Sequence, residues 1–88
     1  MNNLLSKIKT MENWKENTDN LTKTFNFKDF IQAVDFVVKI RDVAETFQHH
    51  PDLYIHSYNK VKVILTTHSE GRVTEKDYKL AEEIDKLF

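Results

Sequence analysis

The one proline of the chain, Pro51, stands directly after a stretch whose apolar residues recur every three and four positions. From Lys28 onward Ala33, Val37, Ile40, Ala44 and Phe47 repeat at that spacing, with Phe30, Val34 and Val43 beside them. This is the pattern of one wide apolar face on a long α-helix, about 30 Å if it runs for roughly 20 residues. A proline lacks the amide hydrogen that a helix needs and pushes the residue before it out of the α region. The helix is therefore expected to end near His49, with His50 already turning away.

On both sides of this helix the apolar period changes to two. Upstream, in "NWKENTDNLTKTFNF", a polar turn at Thr18, Asp19 and Asn20 precedes Leu21, Lys23, Phe25 and Phe27, which alternate with Thr22, Thr24 and Asn26. That alternation predicts a half-buried strand paired in a hairpin with the Trp14 segment. Earlier still, Leu4, Leu5, Ile8 and Met11 fall three and four apart and predict a short amphipathic helix. Downstream, "YNKVKVILTTH" sets Val61, Val63, Leu65 and Thr67 on one face and Lys62, Ile64, Thr66 and His68 on the other, which puts His68 at a strand end. "SEGRV" holds the one glycine and reads as a turn, and Thr74 opens a last helix with the stripe Leu80, Ala81, Ile84, Leu87 and Phe88. The order is helix, two strands, helix, two strands, helix. The simplest packing of that order is an α+β fold, an antiparallel sheet with helices on one face.

Length and charge narrow the function classes. The 88 residues read as one domain, 1–88, with no repeat or low-complexity segment. A chain of this size buries only roughly 60 to 65% of its unfolded surface, so self-association is an expected source of further stability. A net charge of -1 with lysines and arginines spread along the chain leaves no footprint for nucleic acid or an anionic membrane. No cysteine is present, which excludes disulfides, thiol nucleophiles and thiolate metal sites. "MNNLLSKIKT" is too short and too polar for a signal peptide, and no apolar run is long enough to span a bilayer. A cytoplasmic location is the expectation.

The chemistry of the chain concentrates in its four histidines. His49 and His50 stand at the C-terminal end of the long helix, where the helix dipole favours a cation, and Glu45 lies four residues before His49. Imidazoles there suit proton transfer near neutral pH. The plainer reading is that they cap helix carbonyls and face water. A metal site made of His49, His50, His56 and His68 lacks the helical i, i+4 pairing of zinc proteases and has no thiolate, so no metal and no cofactor are expected. Asp77 also has two readings, because "TEKD" at Thr74 to Asp77 has the spacing of a capping box, with Asp in place of Glu. Most of the phenylalanines are read as core, whereas Trp14, Tyr54 and Tyr58 are candidates to line a pocket.

The run Glu45-x-x-x-His49-His50-Pro51-Asp52, followed by Tyr58-Asn59-Lys60-Val61 and Leu65-Thr66-Thr67-His68, resembles the pterin-4a-carbinolamine dehydratase family. "LTKTFNFKDF" upstream and "TEKDYKLAEEID" downstream extend the likeness from about Trp14 to Leu87. The resemblance implies a four-stranded antiparallel sheet covered on one face by three helices, assembled as a homodimer or homotetramer. It also implies the dehydration of 4a-hydroxytetrahydrobiopterin to quinonoid dihydrobiopterin, in the recycling of tetrahydrobiopterin beside a pterin-dependent aromatic amino acid hydroxylase. By the family pattern His49, His50 and His68 are catalytic, and Glu45, Pro51 and Asp77 support the site or bind substrate. His56 matches no family motif.

Two other functions stay open at this point. One is a non-catalytic role as a dimerisation or transcriptional cofactor, as in animal members; the other is action on a different pterin, such as one linked to molybdenum cofactor metabolism. Three departures from the family bear on the pocket: Leu53-Tyr54 after the proline, an extra residue between Pro51 and Tyr58 that is expected to bulge the strand edge, and Ser69 and Gly71-Arg72 where members carry an acid and Gly-Gly.

Overall fold

The computed structural model describes residues 13–88. The helix expected around Leu4 to Met11 lies outside the described residues. Within them the chain forms β1 (Lys15–Glu16), β2 (Leu21–Asn26), α1 (Phe30–Phe47), β3 (Asp52–His56), β4 (Lys60–Leu65) and α2 (Glu75–Leu87). The strands make one sheet in the order β1-β2-β4-β3, each neighbouring pair antiparallel. This is the expected α+β fold with its four-stranded antiparallel sheet; of the three expected helices, two are found among the described residues.

Register explains which face is buried. Leu21 pairs with Leu65, Phe25 with Val61 and Leu53 with Val63, so the apolar members of three strands point to one side. Ala33, Phe36, Ile40 and Ala44 of α1 and Leu80, Ala81 and Ile84 of α2 are buried with them. On the other face, Thr24, Asn26 and Tyr54 are exposed. The period-two alternation also puts a lysine on the inner face. Lys23 Nζ lies 4.7 Å from the Phe25 ring centroid and donates to Asp85 Oδ1 at 2.8 Å, and Asp85 also accepts from Trp14 Nε1. A cation over an aromatic face with a carboxylate at its tip is a tolerable core element, and it joins the start of the sheet to α2. Trp14 is therefore a core residue, not the pocket wall expected from its polar neighbours.

Both ends of α1 are set by single residues. At its start, the extended Asp29 caps the helix, its Oδ1 accepting from the Gln32 amide at 2.9 Å. Asp29→Ala is expected to cost about 1 kcal/mol, a fall in thermal midpoint of about 4–8 °C by circular dichroism. At its end the helix stops at Phe47, two residues short of the expected His49. Gln48 has turned into the left-handed region (φ 51, ψ 42), where its amide donates to Ala44 and Glu45 carbonyls and the His49 amide donates to Ala44 O at 3.1 Å. Those bonds satisfy the last carbonyls in the manner of a left-handed cap, so termination precedes the proline.

The strand edge expected to bulge between Pro51 and Tyr58 stays regular. β3 pairs with β4 at five consecutive positions, from Asp52↔Ile64 to His56↔Lys60. The turn takes up the strain instead, with Ser57 and Tyr58 both at positive φ (50 and 54). Asn59 then ties the turn to the β2–α1 junction, its carbonyl accepting from the Phe27 amide and its side-chain amide donating to Phe27 O.

Candidate active site

α1 and β3 are joined by only four residues, Gln48 to Pro51, and this short connection holds two histidines between a capped helix and a paired strand. His49 turns inward. Its ring is 12% exposed, and Nε2 lies 2.6 Å from Asp77 Oδ1, a carboxylate with no exposure at all. A carboxylate only accepts, so the proton of this bond sits on Nε2, and in the neutral ring Nδ1 is the free lone pair. His50 turns outward, with Nε2 2.6 Å from Glu45 Oε2 and more than half of each side chain exposed.

Asp77 carries both of its sequence readings at once. Its Oδ2 accepts the Thr74 amide at 2.9 Å, while Thr74 Oγ1 accepts from the first turn of α2, which completes the expected capping box. Its Oδ1 receives His49. Thr67 adds a third donor, its hydroxyl reaching Oδ2 at 2.8 Å. A fully buried carboxylate is costly unless its lone pairs are filled, and no buried side-chain polar atom among the described residues lacks a partner.

The third histidine is not on a strand. β4 ends at Leu65 because its partner β2 begins at Leu21, opposite it. The chain then folds back: the Thr67 amide donates to Arg72 O, and Thr67 O accepts from the Glu70 and Gly71 amides. His68 sits in the resulting turn, exposed, and bonds no other side chain among the described residues. Gly71 supplies the positive φ (66) that closes this turn.

A cavity of about 290 Å³ is lined by His49, His50 and His68 together with Thr66, Thr67 and Lys76. The structure thus brings the three candidate histidines to one place, with Glu45 and Asp77 one bond behind two of them. Pro51 is half-buried in the connection and is not among the lining residues. His56 stands apart on the sheet face opposite α1 and α2, stacked on Tyr54 at 5.1 Å and 3.2 Å from the Ser57 hydroxyl. Tyr54 and Tyr58, read as possible pocket residues, are exposed and line no part of this cavity. Among the described residues no cluster of three or more His, Cys, Asp or Glu side chains could hold a metal ion.

Thr67 and Lys76 are among the lining residues that escaped the sequence reading. Thr67 continues the inward row Val61, Val63, Leu65, and a hydroxyl at a core position of a strand is a signal that a buried polar partner awaits it. Lys76 gave no such signal, since a lysine in the first turn of a helix reads as solvated.

Residues 1–87 match the profile of the family described as pterin 4 alpha carbinolamine dehydratase. A Sulfolobus acidocaldarius protein provisionally named pterin-4-alpha-carbinolamine dehydratase is 45% identical over 86 residues, covering 98% of this chain and 93% of its own length. A Trichodesmium erythraeum protein with the same provisional name is 46% identical over 81 residues, covering 92% and 86%. Among solved structures, the crystal structure of a transcriptional coactivator/pterin dehydratase from Brucella melitensis superposes with a TM-score of 0.85 at 34% identity, over 96% of this chain and 90% of that one. A pterin dehydratase-like protein identified as a RuBisCO assembly factor in the alpha-carboxysome shares the fold, with a TM-score of 0.72 at 21% identity over 89% and 92%. On a profile that spans nearly the whole chain and relatives at this identity, the chain belongs to the pterin-4-alpha-carbinolamine dehydratase family.

Proposed function

We propose that the chain dehydrates 4a-hydroxytetrahydrobiopterin to quinonoid dihydrobiopterin. The observation that carries this reading is the meeting of three imidazoles on one cavity, two of them held by carboxylates, with family membership behind it. The substrate carries its hydroxyl on C4a, next to N5. A protonated imidazole gives its proton to that hydroxyl, the C4a–O bond breaks and water leaves. The N5 electrons form the C4a=N5 bond, and a neutral group takes the N5 proton, so one proton enters and one departs. His50 is the residue we assign as principal acid/base: its exposed ring exchanges protons with water, and Glu45 fixes its orientation. His49, held through Nε2 by Asp77, and His68 are the remaining proton-transfer candidates. Pro51, half-buried directly after the histidine pair, is the supporting residue that leads the connection into β3.

The same reading includes a homo-oligomer, a cytoplasmic setting and service to a pterin-dependent aromatic amino acid hydroxylase. Its test is the loss of 4a-hydroxytetrahydrobiopterin generated in situ by such a hydroxylase. The wild-type protein is expected to accelerate this loss in proportion to its concentration. A folded wild-type protein that leaves the spontaneous rate unchanged would remove this activity, and action on another pterin or a binding role would take its place.

A second reading, partner binding without turnover, draws on the coactivator description of the Brucella melitensis protein and on one side of α1. There Phe30, Ile31 and Val38 are exposed. Under that reading partner capture survives replacement of all three histidines, whereas dehydration does not.

A further inference from the structure

Thr67 is 4% exposed and stands where three features of the site meet. Its hydroxyl is 2.8 Å from Asp77 Oδ2 and 2.7 Å from Thr74 Oγ1. Asp77 can only accept, so Thr67 spends its one hydroxyl proton there, and the Thr74 hydroxyl must be the donor to Thr67 Oγ1. The bonds then run in one direction, from Thr74 to Thr67 to the carboxylate, while the other carboxylate oxygen receives His49 Nε2–H. The main chain of the same residue closes the turn that carries His68, through its amide to Arg72 O and its carbonyl from Glu70 and Gly71.

We infer that Thr67 is the positioning residue that sets two of the three imidazoles in a common frame. Its side chain fixes the carboxylate that orients His49, and its backbone fixes the turn that presents His68. With the hydroxyl removed, Oδ2 keeps only the Thr74 amide, and the carboxylate is free to rotate about its last side-chain bond. Rotation lengthens or breaks the 2.6 Å His49 contact at Oδ1, and the Nε2–H tautomer is then no longer enforced. An inward threonine at the end of an otherwise aliphatic row therefore has a role that packing does not require: valine fills the same space.

For its effect on rate the inference rests on the dehydratase reading; for its effect on His49 it does not. The test compares wild type, Thr67→Val, Thr67→Ala and Thr67→Ser by imidazole ¹⁵N–¹H NMR of the ligand-free protein and by turnover. In the wild type His49 is expected to show the Nε2–H tautomer with a downfield, slowly exchanging proton. In Thr67→Val and Thr67→Ala that proton signal is lost or moves upfield and the tautomers mix. kcat falls about 10- to 100-fold, the loss expected for a supporting hydrogen bond to a charged group, and KM stays within about twofold. Thr67→Ser restores both readouts.

Folded Val or Ala variants with wild-type His49 signals and wild-type kcat would overturn the inference and leave Thr67 a packing residue. If neither variant folds while Thr67→Ser does, the hydroxyl belongs to folding and the inference likewise falls. A wild-type protein without dehydratase activity whose His49 signal still responds to Thr67→Val would remove the dehydratase reading and keep the positioning role.

Discussion

Asp77→Asn is expected to lower the rate of 4a-hydroxytetrahydrobiopterin dehydration by about 10²- to 10⁴-fold, the range that goes with losing a correctly held proton-transfer group. The geometry dictates how. Oδ2 must keep accepting the Thr74 amide and the Thr67 hydroxyl, so the carbonyl of the new amide takes that place. Its NH₂ group then faces His49 Nε2 where a carboxylate oxygen stood 2.6 Å away. A donor there forces Nε2 to be the acceptor and moves the ring proton to Nδ1, the nitrogen that carries the lone pair when Asp77 is a carboxylate. Because the substitution is isosteric and the cap bond survives, circular dichroism and thermal midpoint should change little while turnover collapses. His50→Ala is expected to cause a fall of the same order through direct loss of the ring. Retention of turnover within about threefold in Asp77→Asn would show that the His49 tautomer does not matter to the reaction.

Phe25→Ala is expected to have the largest effect on stability, about 3–5 kcal/mol. The ring is buried at the centre of the inner sheet face, its centroid 4.8 Å from that of Phe36 and 6.2 Å from that of Trp14, with the Lys23 ammonium beside it. Its truncation opens a cavity under both helices and leaves that ammonium without its aromatic face. A small domain has a total stability of about 5–15 kcal/mol. The urea midpoint should therefore drop steeply, and the thermal midpoint should fall by about 12 °C or more. A loss below about 1 kcal/mol would mean that the helices close over the gap, and that the aromatic cluster is not what holds them to the sheet.

These two sites differ in how far the sequence disclosed them. The alternation of Leu21 to Phe27 and of Val61 to Thr67 gave the buried sheet face, because a period of two admits one inward set only. The Thr74–Asp77 spacing gave the cap. Neither the end of α1 nor the place of His68 could be read that way. The first depends on Gln48 entering the left-handed region, which no side-chain preference of glutamine announces. The second depends on β4 losing its neighbour at Leu21, a long-range fact about pairing rather than a local one. The likeness in Glu45, His49, His50 and His68 supplied the grouping of the three histidines; spacing alone left the adjacent pair at a helix end and His68 at a strand end, with nothing to join them. The contact between Asp77 and His49 joins residues 28 positions apart, so only the packing of α2 against α1 could create it.

The four-residue link from α1 to β3 has a consequence for how such a chain can change its length. Side chains on β3 alternate, with Leu53 and Ile55 inward and Tyr54 and His56 outward. An insertion of one residue between Gln48 and Asp52 would slide the strand by one place, expose both aliphatic residues and bury the polar ones. The opposite end of β3 has no such penalty, since the three-residue turn Ser57 to Asn59 leads into a strand whose own register is fixed by β2. Length variation in relatives should therefore accumulate after β3 and be purged before it, and an engineered loop or tag belongs between Ser57 and Tyr58, ahead of the Asn59 anchor, rather than beside the histidines.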